Sequence, residues 1–417
     1  LCYFALTLSA QESLTCIKAG KFFDGKSNSL HENVLIMIEG NRIVDVGEKI
    51  NVPPNATIVD LSDRTVMPGL IDAHTHIALH PGGYAEQIMK ESNEFRAIYA
   101  TVNAKATLEA GVTTIRDLGN EGAGLADIAL RDAIEKGIVP GPRILAAIQP
   151  ITACGAYEVT GYSPSVKVPA ISFTADGTSE IVKQVRHVTK LGADVVKIYM
   201  ESFEKKQTSD DSLTGAFNYS RDEFQTLVDE AHRAGLRVAA HTYSDSAARL
   251  AIEIGVNSIE HGLYLQEETF RRMTQKNIYY VPTLLVHELW RDDKLFGKLS
   301  EREKQKLSYT CRRHIETFQR ALKTPVRIAF GTDTFEFPGT NAQELAVMVR
   351  SGMKPIDALR SATSVSAELL GLGHEIGTIE KGKAADIIAF SGDPVKDISV
   401  VRQVSFVMKS GKVYLHK

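Results

Sequence analysis

A (β/α)8 TIM barrel carrying a small β-sandwich domain is the fold this 417-residue sequence predicts, and three observations predict it. The middle of the chain alternates strand-like with helix-like runs. Its notable polar residues fall at the ends of the strand-like runs. The two chain ends share one texture, short β-rich runs broken by Gly, Asn and Asp.

The barrel is expected over residues 67–374. Eight strand-like runs end near His76, Asp117, Ala146, Tyr199, His241, His261, Pro282 and Asp333. Amphipathic segments lie between them, such as Arg221 to Ala234 and Ser246 to Ile254. In such a barrel the chemistry sits at the C-terminal ends of the strands. Residues 13–66 and 375–417 hold runs such as Val34 to Ile38 and Asp386 to Phe390. Neither segment alone offers enough apolar area for a core, so the two are expected to form one β-sandwich. Residues 1–12 resemble the end of a signal peptide: Leu1 to Leu8 is apolar apart from Thr7, and small residues follow. Export to the periplasm or the exterior is the expectation, with a cytoplasmic protein as the alternative. No other stretch approaches the ~18 apolar residues of a membrane span.

A net charge of -3 argues against a nucleic-acid partner, which calls for a basic surplus. The four cysteines (Cys2, Cys16, Cys154, Cys311) are scattered and form neither a zinc knuckle nor a disulfide framework. A small-molecule substrate and a homo-oligomeric assembly are expected.

The chemistry gathers at five strand ends. The first reads Asp72-Ala73-His74-Thr75-His76, and residues two apart on a strand face one side, so both imidazoles can reach one ion. His241, His261 and Asp333 end the fifth, sixth and eighth runs. Four imidazoles and a carboxylate suit zinc, with manganese, cobalt and iron as alternatives. Lys197 ends the fourth run, in Val195-Val196-Lys197-Ile198-Tyr199. Burial beside positive charge lowers a lysine's pKa, and a neutral amine can add carbon dioxide to give a carbamate with two oxygens, enough to bridge two metals. The other reading is a rim lysine paired with a carboxylate.

The segments Met67 to His76, Gly111 to Asp117, Ser258 to Gly262, Phe330 to Asp333 and Gly382 to Asp386 resemble the amidohydrolase superfamily in order and over nearly the whole chain. The likeness is to the branch of imidazolonepropionase-like proteins and prolidase-like Xaa-Pro and Xaa-Arg dipeptidases. It implies that His74, His76 and Asp333 hold one ion, that His241 and His261 hold a second, and that carboxylated Lys197 bridges them. Imidazolonepropionase-type enzymes use one metal and lack this lysine, whereas the dipeptidase-like members carry it.

The mechanism this implies is attack on an amide by a hydroxide bridging two metal ions, with Asp333 as general base and then acid. A dipeptide or an N-acyl amino acid is the first substrate class. Cyclic amides, lactones or xenobiotic amides form the second, and deamination the third. Prolidase-like enzymes often carry Thr-Gly-Gly-His after strand three, where this chain has Ile151-Thr152-Ala153-Cys154-Gly155-Ala156-Tyr157. Arg116, Tyr157, Tyr199 and His287 are the candidates for substrate contact, Arg116 because its fork suits a carboxylate. The alternatives are a pairing of Arg116 with Asp117 or Glu121, and loop packing for Tyr157 and His287.

Overall fold

The computed structural model describes residues 14–163, 165–201, 216–290, 299–334 and 338–417. The leader-like segment 1–12 lies outside them. Both chain ends enter one seven-stranded sheet. Its strands are β1 (Leu14–Phe22), β2 (His31–Glu39), β3 (Arg42–Gly47) and β4 (Thr57–Pro68) from the N-terminal part. β14 (Ile387–Phe390), β15 (Val404–Lys409) and β16 (Lys412–His416) come from the C-terminal part. The order is β16-β15-β14-β4-β1-β2-β3. β14 pairs antiparallel with the second half of β4, Ile388 opposite Met67. Where two separately paired sheets were expected, hydrogen bonding is continuous across all seven strands. One apolar cluster nevertheless takes Ile17, Ile36 and Ile43 from one wing and Ile387, Phe406 and Met408 from the other, which is how segments too small to fold alone share a core.

The middle of the chain forms two arcs of parallel strands. β5 (Leu70–Thr75), β6 (Val112–Asp117) and β7 (Arg143–Ala146) make the first. The second contains β8 (Ile151–Thr152), β9 (Phe173–Thr174), β10 (Val195–Tyr199), β11 (Arg237–Thr242), β12 (Ser258–His261) and β13 (Tyr279–Val281). Backbone hydrogen bonds cross both gaps between the arcs. At one, Asp194 N donates to Ala146 O (2.8 Å). At the other, Ala329 N donates to Tyr280 O (2.9 Å), Ala73 N to Phe330 O (2.9 Å) and Asp333 N to His74 O (2.8 Å). The eighth expected strand is thus a short segment bridging at Ile328 beside β13.

The third expected strand is split. β7 follows β6, then the chain turns at Ile148, whose φ is 70°, and β8 takes up the pairing with β10. Asp127 Oδ2 accepts from Ile148 N (2.9 Å), and Asn120 N donates to Ile148 O (2.8 Å), so the turn's polar groups are satisfied.

The helices follow their caps. Ser220 and Glu223 form a reciprocal capping box at the start of the helix Arg221–Arg233. Phe224, Leu227, Val228 and Ala231 are its buried stripe, at the i, i+3, i+4 and i+7 spacing of one helical face. The helix Asp245–Ile254 is capped by Ser244 and ended by Gly255 in the left-handed conformation. No described helix is long and apolar enough to cross a membrane.

Arg143 pins the terminal sheet to the strands beneath. Its guanidinium donates to Asp386 Oδ2 (2.8 Å) and Thr114 Oγ1 (2.9 Å), while Asp386 Oδ1 accepts from Ser410 N (2.7 Å). Asp386 is buried, so removing its partner leaves a carboxylate without its cation. Arg143→Ala is expected to destabilise the fold by about 3 kcal/mol, read from the urea midpoint. A midpoint within error of the wild type would show that the ion pair does not hold the sheet in place.

Candidate active site

Strand-end residues from five directions meet above the arcs. β5 carries His74, His76 follows its last residue, and Thr75 between them faces the other way. Asp333 arrives on the segment after Phe330, and Gly331 is what lets it come so close. A Cβ at Gly331 would lie 2.5 Å from Val281 Cγ1 and 3.0 Å from His74 Cβ, too near for any side chain. The approach sets Asp333 Oδ1 3.0 Å from His76 Nε2 and 3.5 Å from His74 Nε2. Among the described residues these three form the group of His, Cys, Asp and Glu whose ligand atoms all lie within 4.8 Å of one another. They can hold a metal ion.

His241 and His261 flank this group. The His241 ring centroid lies 4.5 Å from that of His261, which lies 5.0 Å from that of His74. Lys197 is the middle residue of β10 and is 1% exposed, with Nζ 3.4 Å from His74 Nε2.

The groups beneath decide which ring nitrogens face the site. His74 Nδ1 lies 2.9 Å from Glu260 Oε2, a carboxylate that can only accept, so the proton sits on Nδ1 and the Nε2 lone pair faces inward. His76 Nδ1 likewise faces Gly119 O at 2.7 Å. His261 Nδ1 lies 2.7 Å from Thr283 Oγ1.

Charge is arranged to match. Burial, followed by the charge of Lys197, holds His74 and His241 well below the ordinary histidine range, and burial does the same to His261. These imidazoles are held neutral, the form that can donate a lone pair to a metal. Burial brings Lys197 down to about 8. Burial opposes a charge on His76, but Asp333 outweighs it and pushes His76 up to about 9. Burial raises Asp333, yet the neighbouring His74, His76 and Lys197 leave it below the usual carboxylate range. A cation between Asp333 and His76 would satisfy the attraction that the ion pair expresses, so the donor set fits a divalent metal.

The backbone here is strained. Glu121, Ile148, His261, Thr283 and Asp333 all have φ between 50° and 70° without being glycine, and all follow strand ends around the site. Such conformations persist where the surroundings over-determine them, and they concentrate at functional sites.

A cavity of about 280 Å3 opens over the group, with Tyr157, Tyr199, Tyr243 and Trp290 in its wall. Tyr157 stacks on Tyr199 (centroids 4.4 Å apart) and Tyr199 on His241 (4.5 Å). Tyr157 and Tyr199 are thus where substrate contact was expected. Two other candidates are not. Arg116 is buried beneath the site and donates to Ala73 O (2.6 Å), Ser258 Oγ (3.1 Å) and Glu260 Oε1 (2.8 Å). Its guanidinium is consumed by the barrel wall, and its partner is Glu260 in place of Asp117 or Glu121. His287 does not line the cavity but packs behind its wall, against Trp290 (5.0 Å) and His314 (4.8 Å), and burial lowers it to about 4. Sequence reasoning missed Tyr84, Glu121, Tyr243 and Trp290 in the lining and Glu260 beneath it. Tyr243 had a signal, two residues beyond His241 near the end of β11, and Glu260 stood next to His261.

Imidazoles and a carboxylate converging at strand ends under an aromatic cavity define a hydrolase site of the metal-holding kind. The chain belongs to the amidohydrolase family, whose model matches residues 65–414. It is similar to ochratoxinase of Aspergillus niger, 29% identical over 97% of this chain and 87% of the relative. It is also similar to an imidazolonepropionase of Fusobacterium nucleatum, 24% identical over 93% of each. The crystal structure of a Xaa-Pro dipeptidase with methionine bound in its active site superposes with a TM-score of 0.85 at 35% identity, covering 97% of this chain and all of that one. The chain is a hydrolase acting on amide bonds.

Arg116 therefore acts through Glu260 on His74. Arg116→Met is expected to weaken metal binding about 10- to 100-fold, the usual effect of losing a group that orients a ligand. Metal titration checks this. Unchanged metal affinity with a raised KM would return Arg116 to the substrate.

Proposed function

We propose that the chain is a binuclear amidohydrolase whose substrate is a dipeptide or an N-acyl amino acid. The observation that carries the reading is Lys197. It is fully buried in the middle of β10, against His74 Nε2 and over the Tyr199 ring (5.3 Å), and among the described residues no carboxylate forms an ion-pair contact with it. A lysine brought down to about 8 has a neutral fraction near neutral pH that an ordinary lysine lacks, and a neutral amine adds carbon dioxide with loss of a proton. The carbamate supplies the anionic, two-oxygen ligand that a second ion needs. His74, His76 and Asp333 would hold one ion, His241 and His261 the other, and carboxylated Lys197 both, with zinc as the ion best matched to nitrogen and oxygen donors.

Bound metal supplies Lewis acidity at the scissile carbonyl and makes water nucleophilic near neutral pH. The chain's own residues do the rest. Asp333 takes the nucleophile's proton on its carboxylate and returns it to the leaving nitrogen. Tyr157 and Tyr199 present a flat wall to the substrate. Trp290 and Tyr243 help exclude water.

The cross-gap hydrogen bonds at Asp194–Ala146 and Ala73–Phe330 support a closed eight-stranded barrel over residues 67–374. Residues 13–66 and 375–417 belong to the sheet domain of the same reading, in an exported, homo-oligomeric enzyme. The aromatic wall favours a second substrate class, apolar cyclic or xenobiotic amides, over deamination.

Amino-acid release from a panel of dipeptides and N-acyl amino acids, by protein loaded with zinc and bicarbonate, tests the reading. Asp333→Asn is expected to keep much of its metal and to lose at least about a hundredfold in turnover. Near-normal turnover would remove Asp333 from proton transfer. Lys197→Ala is expected to retain less metal, and two tightly held ions in that variant would refute the bridge. No release from protein holding both metals would move the substrate to the apolar amides.

A further inference from the structure

The cavity carries a carboxylate that the reaction does not use. Glu121 lies four residues beyond the end of β6, is 1% exposed and lines the cavity. Its backbone is held in place by force. Glu121 has a φ of 52°, and the buried Arg96 donates to Glu121 O (2.6 Å), Asn120 O (2.9 Å) and Ala78 O (3.3 Å). Strain maintained by a buried arginine argues that the direction of this side chain matters.

Two phenols fix the carboxylate on one side. Tyr84 and Tyr157 donate to Oε2 at 2.5 and 2.9 Å. The other oxygen, Oε1, stands 3.4 Å from His76 Nδ1, whose nearer acceptor is Gly119 O. Oε1 therefore keeps acceptor capacity. Gly119 leaves the space beside it open, where a Cβ would come within 3.1 Å of Oε1.

Charge and distance define what fits. Among the described residues no lysine or arginine lines the cavity, and the ion-pair contact of Glu121 is His76 alone. Arg96 attracts the Glu121 charge, but its guanidinium donates to backbone carbonyls, so Oε1 is left as an acceptor for a cation that enters the cavity. Glu121 and Asp333 contact opposite nitrogens of one imidazole, at 3.4 and 3.0 Å, so the ring and both contacts separate them. In a dipeptide the α-nitrogen lies about 2.5 Å from the carbonyl carbon of the same residue. A substrate whose carbonyl is near Asp333 can extend its α-nitrogen toward Glu121, since both carboxylates line one cavity.

We propose that Glu121, braced by Tyr84 and Tyr157, binds the protonated α-amino group of the substrate and selects free-amine dipeptides over N-acylated ones. The inference rests on the amide-hydrolase reading above and narrows its substrate class.

Turnover and binding test it separately. The wild type is expected to cleave free dipeptides about 10- to 100-fold more efficiently than their N-acetyl forms, the scale of one charged hydrogen bond. Glu121→Gln keeps the shape and an acceptor for the phenols, and should bring that ratio to within about threefold of one, the residue of a lost charge. A ratio unchanged in the variant, with both substrates slowed alike, would make Glu121 a positioning residue of the loop and overturn the proposal. So would equal rates on both forms in the wild type. Metal-loaded Asp333→Asn gives the second readout, by calorimetry with L-leucinamide and N-acetyl-L-leucinamide. Tighter binding of the amine, lost on adding Glu121→Gln, supports the proposal even if no peptide is cleaved, and that failure would fall on the hydrolase reading alone. Equal binding of the two amides overturns it.

Discussion

One buried carboxylate, Glu260, organises the ground on which the site stands. It accepts from Arg116 on one oxygen and faces His74 Nδ1 with the other. Glu260 has no exposure to solvent, so its charge has to be met inside the protein. Arg116 meets it, and in doing so ties β6 to β12, while its Nε reaches back to Ala73 O on β5. Three strands are thereby locked at the level where His74 turns inward. Most of the site's geometry follows from that lock, because His74 also has Asp333 and Lys197 on its Nε2 side.

A second lock works from the other flank. Asp72 accepts from His74 N and Thr332 N (both 3.1 Å), Thr332 Oγ1 (2.7 Å) and Asn341 Nδ2 (2.8 Å). Burial holds its carboxyl up at about 6 in spite of those donors. The two contacts from Thr332 join β5 to the segment that carries Asp333. Together with the absent Cβ of Gly331 they explain how a residue with φ of 55° can be held next to His74 and His76. The strain in Asp333, His261 and Glu121 is thus balanced by buried hydrogen bonds from elements far away in sequence.

That long-range character sets what could be read from the chain alone. Period-two spacing put His74 and His76 on one face, and the strand-end positions of His241, His261 and Asp333 were legible because each closes an apolar run. Lys197 was legible as a lone charge inside an apolar run. Arg116 had the same strand-end signal and a different fate, since the residue that captures it lies 144 positions away on β12. His287 failed for another reason: the tight left-handed turn at Thr283 and the short helix Leu284–Leu289 aim it at His314, and no local pattern announces either. The terminal sheet was legible as a composition and not as a pairing, because register between β4 and β14 depends on a crossing of the whole chain.

The cavity's polarity follows from the same economy of charge. Arg116, Arg96 and Arg143 are all spent on buried carboxylates or carbonyls that hold strands and loops in place. Fixed cations therefore reinforce the walls, and the described lining is left with aromatic faces, imidazoles and two carboxylates. Asp333 faces His74 and His76, and Glu121 is met in the described lining by two phenols and an imidazole, with no lysine or arginine. A pocket built in this way takes its counter-charge from what enters it. Selectivity in such a pocket comes from the cost of leaving a buried carboxylate unpaired, a cost that a neutral N-acyl group imposes and a free ammonium removes.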